Sequence, residues 1–129
     1  MSTQVLVDTC SFIDYFRGAE DSPIAYLASR DTILLSKVVR MELLKGTRRQ
    51  DRKALLNLFD GFKQLSDFPP ADFAEQILLR LHGRGFNLGF ADLLILTDVV
   101  RSKSGLLTSD RALANAARAL KVIVVSKSN

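Results

Sequence analysis

Apolar positions along this chain fall into two kinds of run. Val5-Leu6-Val7, Thr32 to Leu35, Leu106-Leu107-Thr108 and Val122 to Val125 are short apolar blocks rich in valine, isoleucine and leucine. Such blocks read as strands buried on both faces, as in the middle of a parallel sheet. Between them, apolar residues recur at helical spacing. Ser11 to Phe16 carries Phe12, Ile13 and Phe16 as an i, i+1, i+4 set, and Gly18 is placed to end that helix. Ser22-Pro23 restarts helix to about Ser29, with serine as the cap and proline at the first position. Ser36 caps a helix from about Lys37 to Lys45, which Gly46 stops. Further helices are predicted over Arg52 to Phe62, Ala71 to Leu81, Phe90 to Lys103 and Asp110 to Leu120. Lys63 to Phe68 is the weakest strand, closed by Pro69-Pro70. Strands alternating with helices predict an α/β fold, a parallel sheet covered on both faces.

Composition narrows the class. A chain of 129 residues with 47% hydrophobic and 25% charged residues suits one domain, spanning 1–129, with enough core to fold without cross-links. No apolar run is long enough to span a bilayer, and no secretory leader is expected, because Asp8 interrupts the stretch where one would lie. The single cysteine, Cys10, has no internal partner, so a reducing cytoplasm is the expected compartment. The net charge of +4 tilts the choice of partner toward polyanions. Lys45, Arg48, Arg49, Arg52 and Lys53 concentrate that charge. They form either a solvated loop entering a helix or an edge that contacts RNA.

Four carboxylates stand at the margins of apolar runs. Asp8 ends the first strand, where open α/β sheets place their ligands. Glu42 interrupts the apolar helix Val38 to Leu44, Asp92 opens the apolar segment Phe90 to Leu96, and Asp110 follows Leu107-Thr108-Ser109 directly. Taken singly, each has an ordinary explanation as a turn former, a solvent-facing helical residue, a dipole partner or a helix cap. Taken together, Asp8 and Asp110 terminate strands at one edge of a parallel sheet, and the glycine-spaced connector Gly83 to Gly89 is long enough to deliver Asp92 there. Carboxylates gathered in a crevice repel one another unless protonated or neutralised by a cation. Oxygen donors of this kind suit Mg²⁺ or Mn²⁺, and such ions acidify bound water and stabilise charge on a phosphoryl group. That is the chemistry of phosphodiester hydrolysis.

Four strings in order, Val7-Asp8-Thr9-Cys10, Met41-Glu42-Leu43-Leu44-Lys45-Gly46, Ala91-Asp92-Leu93-Leu94-Ile95 and Leu107-Thr108-Ser109-Asp110, resemble a PIN domain. More narrowly they are similar to the VapC toxins of bacterial type II toxin–antitoxin systems. The resemblance implies a three-layer domain and a metal-dependent endoribonuclease acting on structured RNA such as transfer or ribosomal RNA. In that reading Asp8 and Asp92 ligate Mg²⁺ or Mn²⁺ directly, and Glu42 and Asp110 act through metal-bound water. Thr9, Thr108 and Ser109 hydrogen-bond substrate or a neighbouring carboxylate. The resemblance also implies a homodimer and a cognate VapB-like antitoxin whose tail lies across the active-site groove. Two positions depart from the pattern. Cys10 stands where many relatives carry asparagine, and it is expected to pack behind the strand as a small buried residue; Gly89-Phe90 replaces the usual turn signal before Asp92.

Other groups are expected to be ordinary. His82 lies at a helix end, which suits a cap or surface position and leaves a histidine-based hydrolase without support. Asp98 lies six residues after Asp92, about 120° around the helix, and should point elsewhere. Asp14 is expected at the surface. Three alternatives compete with the nuclease. A phosphohydrolase using Asp8 as nucleophile needs a second acid two residues on, where Cys10 stands. A receiver-like domain would have to use Asp67 and Lys127. A non-catalytic RNA-binding module would use the basic segment alone.

Overall fold

The computed structural model describes residues 4–18 and 22–125. In chain order the elements are β1 (Val5–Val7), α1 (Thr9–Phe16), α2 (Ile24–Ser29), β2 (Ile33–Leu35), α3 (Lys37–Gly46), α4 (Arg52–Asp60), β3 (Lys63–Gln64), α5 (Ala71–His82), α6 (Phe90–Ser102), β4 (Gly105–Leu107), α7 (Arg111–Ala119) and β5 (Val124–Val125). A single 3₁₀ turn, Arg49–Asp51, leads into α4. The five strands form one sheet in the order β3-β2-β1-β4-β5, parallel throughout. Helices cover both faces in three layers, the α/β architecture that the alternation of runs predicts.

The strand order fixes where a site can form. From β1 the chain winds outward to β2 and β3, then crosses back to place β4 on the other side of β1. The loops leaving β1 and β4 therefore diverge at their carboxyl ends, and that crevice is the topological switch point of the sheet. β1 and β4 pair Val5 with Gly105, Leu6 with Leu106 and Val7 with Leu107, and every residue of both strands is buried. Asp8 and Thr108 leave the sheet side by side.

The core is built from both layers. Phe12 and Phe59 are completely buried, and Leu93 to Val99 of α6 are buried without interruption. A helix apolar on all sides must be central, and α6 packs on α3, α5 and α7. Among the described residues no helix is long and apolar enough to cross a membrane.

The boundaries differ from expectation where local chemistry intervenes. α1 starts at Thr9, two residues early, because Asp8 is its cap. Pro23 is the cap of α2 rather than its first residue, with the Ser22 hydroxyl accepting from the Ile24 N–H at 3.3 Å. α4 stops at Asp60, although the Phe62 N–H still reaches the Phe59 carbonyl at 3.0 Å. β3 and β5 are each cut to two residues. Both are edge strands, paired on one side only, where short length limits unwanted pairing. Lys127 lies outside the described residues.

Candidate active site

Asp8 is the anchor of the crevice and only 3% exposed. Its Oδ1 accepts from the Thr9 N–H at 2.7 Å, which is how it caps α1. Its Oδ2 accepts from the Thr108 hydroxyl at 2.7 Å and from the Cys10 thiol at 3.1 Å. Thr108 in turn accepts from the Asp110 N–H at 3.0 Å, so one hydroxyl joins the ends of β1 and β4. Asp110 caps α7 by accepting from the Leu113 N–H at 3.0 Å. On the other flank the Thr9 hydroxyl donates to Glu42 Oε1 at 2.6 Å, tying the first turn of α1 to α3. Every donor proton in this network points at a carboxylate or at the group that holds one. Three donors on one carboxylate fix its rotamer.

Asp92 enters from the first turn of α6, after the Gly89 cap, and is half-buried. Its carboxyl is pushed up to about 6, first by burial and then by the charges of Asp8, Asp110 and Glu42. Residues from four separate elements are thus within electrostatic reach of one point. The fold brings all four carboxylates of the sequence analysis together in this sense. Among the described residues, no three His, Cys, Asp or Glu side chains are already gathered as a metal-holding cluster. The donor set is nonetheless all oxygen with one thiol beside it, and its excess negative charge is what a hard divalent cation relieves.

Cys10 corrects one expectation. It is half-buried inside the crevice, not packed behind the strand, and its thiol bridges the Ser109 hydroxyl, which donates at 3.1 Å, and Asp8. Burial pushes this thiol up, the Ser109 hydrogen bond opposes that, and the Asp8 charge adds to it. It is therefore a neutral donor at the end of β1. No local pattern could find this contact, since Ser109 lies 99 residues away in the chain. Asp14, expected at the surface, is half-buried and lines a small recess with Thr108 and Ser109.

The basic residues lie outside the crevice. Lys45 lies in the last turn of α3, and Arg49, Arg52 and Lys53 are exposed around the start of α4. Arg48 is exposed and held by Asp51 at 2.8 Å. His82 is exposed at the end of α5. Asp98 points away from the crevice, as its spacing requires, yet its side chain is fully buried. Its Oδ1 accepts from Arg101 Nε at 2.8 Å, while its Oδ2 has no partner. Arg101 also grips the Asp67 carboxylate and carbonyl at 3.1 Å. Asp67 is thereby committed to a structural ion pair, which removes the receiver-like role. The phosphohydrolase reading loses as well, since position 10 offers a neutral thiol in place of an acid.

A parallel five-stranded α/β sheet whose switch point collects carboxylates from four elements defines an acidic-centred domain of the nuclease-like kind. The chain belongs to the PIN domain family, whose sequence profile matches residues 5–119. Its fold is similar to a chain of FitAcB from Neisseria gonorrhoeae, with a TM-score of 0.71 and 21% identity over 98% of this chain and 99% of that one. It is also similar to a chain of VapBC2 from Rickettsia felis bound to a promoter DNA fragment, with a TM-score of 0.74 and 18% identity over 94% and 96% of the two chains. A toxin–antitoxin complex from Klebsiella pneumoniae gives 0.70 and 20% over 96% and 98%. A search of curated proteins by sequence finds no significant match.

Proposed function

We propose that this protein is a metal-dependent endoribonuclease, the toxin of a type II toxin–antitoxin pair, which hydrolyses phosphodiester bonds in structured RNA such as transfer or ribosomal RNA. One observation carries the reading. Four carboxylates meet at the switch-point crevice: the Thr108 hydroxyl joins Asp8 to the Asp110 backbone, the Thr9 hydroxyl ties Glu42 to the turn after Asp8, and Asp92 lies near enough for all three charges to push its carboxyl up. Structural needs do not account for such a concentration of like charge, and metal-assisted chemistry does.

Asp8 and Asp92 would hold Mg²⁺ or Mn²⁺, with Glu42 and Asp110 acting through bound water. When bound there, such a cation would supply an acidified water and stabilise charge on the phosphoryl oxygens. The chain's own residues set the geometry. Thr108 and Cys10 fix Asp8 Oδ2 from two sides, and Thr9 aims Glu42. Ser109, exposed at the rim, is free to meet the substrate once its proton turns from Cys10. Lys45, Arg48, Arg49, Arg52 and Lys53 contact the RNA backbone. The domain acts in a reducing cytoplasm, where Cys10 stays a thiol.

A VapB-like antitoxin is the partner supported by the toxin–antitoxin assemblies among the structural neighbours. Homodimerisation is supported by the α5–α6 face. There a hollow of about 420 Å³ is lined by Phe68, Leu78 and Phe90, and Phe90 is 75% exposed. An exposed patch of this kind marks an interaction surface. The test is cleavage of total RNA with Mn²⁺ or Mg²⁺ by the wild type, Asp8→Asn and Asp92→Asn. Loss of more than about 100-fold in both variants is expected, since even outer-shell partners of a metal are worth 10- to 100-fold. Cleavage that survives both substitutions, or is absent in wild type with either cation, sinks the reading.

A further inference from the structure

A trough leads away from Glu42 between α1 and the α3–α4 corner. Its inner part, about 130 Å³, is lined by Glu42, Leu43 and Ile13 and shares Phe16, Thr47 and Leu55 with an outer part of about 500 Å³. The outer floor is continued by Ala54 and Leu58. Phe16 stands at the junction. It is 47% exposed, yet its ring is not loose, because it stacks on Phe12 with centroids 6.0 Å apart and planes 25° apart. Phe12 is itself completely buried and braced by Phe62 at 5.8 Å. Phe16 is therefore a braced aromatic surface with solvent access, set about 12 Å along α1 from Asp8 at 1.5 Å per residue.

The rim carries the opposite chemistry. Residues that line the trough alternate in sequence with exposed cations: Lys45 precedes Gly46 and Thr47, Arg48 and Arg49 follow them, and Arg52 and Lys53 lie between Asp51 and Ala54. Arg48 is ion-paired at 2.8 Å to Asp51, which itself lines the outer part. An apolar floor with one braced aromatic and a cationic margin is complementary to a strand whose bases are free to stack and whose phosphates are negative. A duplex presents no free base face to such a floor.

We propose that this trough is the docking track for a single-stranded RNA segment flanking the cleaved bond, with Phe16 stacking on one of its bases. The track deepens the nuclease function proposed above and rests on it. Arg49, Arg52 and Lys53 follow the backbone, and the strand enters the acidic crevice past Glu42. Specificity at this position comes from an unpaired base, not from its identity.

The test is fluorescence anisotropy with a labelled, unstructured single-stranded RNA decamer and with the same decamer annealed to its complement, using the full chain in EDTA so the RNA stays intact. Phe16→Leu keeps the apolar floor and removes the stacking face, while Phe16→Trp keeps the face. Binding of the single strand is expected to weaken about tenfold in Phe16→Leu and to hold in Phe16→Trp. Arg49→Ala with Arg52→Ala should lower the slope of log Kd against log salt by about 1.4, at roughly 0.7 for each phosphate contact on a single strand. Equal binding by Phe16→Leu and wild type, or equal loss for strand and duplex, overturns the track and leaves the trough to a protein segment. Cleavage by wild type with Mn²⁺, run in parallel, separates the two ideas. Cleavage with Phe16-independent binding defeats the track alone, and Phe16-dependent binding without cleavage in any cation defeats the nuclease alone.

Discussion

The two ends of α6 hold two carboxylates under opposite management. Asp92, in the first turn, is half-buried and pushed up to about 6, first by burial and then by three negative neighbours. Asp98, near the last turn, is fully buried and pushed up by burial too, but Arg101 at 2.8 Å pulls against that shift. One carboxylate is surrounded by its own sign, the other has a cation from the same helix. Burial alone thus does not tell these two carboxylates apart; the sign of what surrounds each does. The chain answers Asp98 internally and leaves Asp92 to be answered from outside.

That contrast can be broken at either end. The largest effect is expected at Arg101. Arg101→Met strands a buried carboxylate and should cost about 3–5 kcal/mol in chemical denaturation, whereas Asp98→Leu with Arg101→Met should cost far less. Equal losses in the single and double variants would show that Arg101 matters through packing. Next comes Thr108→Val, which removes the hydroxyl shared by Asp8 and the Asp110 N–H at nearly constant volume. RNA cleavage should fall about 10- to 100-fold, the range for groups that orient a metal ligand. An unchanged rate would mean that Thr9 and Cys10 suffice to hold Asp8.

The smallest effect concerns pH. The folded-state value of Asp92, about 6, lies above its ordinary 3.8, so the folded chain holds this proton more tightly than the unfolded one. The stability it contributes is complete below 3.8 and is lost as pH rises through 6. Asp92→Asn escapes that loss. Without added metal it should be more stable than wild type by about 1 kcal/mol at pH 7.5, after allowance for solvent screening, and the gain should shrink toward zero as pH falls to 4. A gain that is flat with pH would show that the neighbouring carboxylates do not act on Asp92.

Much of the fold was legible in the chain because β1, β2 and β4 are buried on both faces and announce themselves as unbroken apolar blocks. The edge strands were less so. Lys63–Gln64 is half exposed and polar, and its place in the sheet comes from pairing with β2, not from its own pattern. The four carboxylates stood out as interruptions of apolar runs. What draws them together was invisible, since the bonds from Thr9 to Glu42 and from Thr108 to Asp8 span 33 and 100 residues. The burial of Asp98 was missed for a related reason. Angular spacing tells which side of a helix a residue occupies, but a central helix has no solvent side.

Asp8 caps α1, Asp110 caps α7 and Asp92 sits in the first turn of α6. Three helices therefore turn their amino ends toward the same acidic pocket, each bringing roughly half a positive charge. The peptide backbone serves as a standing counter-ion, built in by topology. Any rearrangement that frays one of these helix starts would discharge the pocket's own support, so the pocket's geometry and helix integrity are tied to the same three residues.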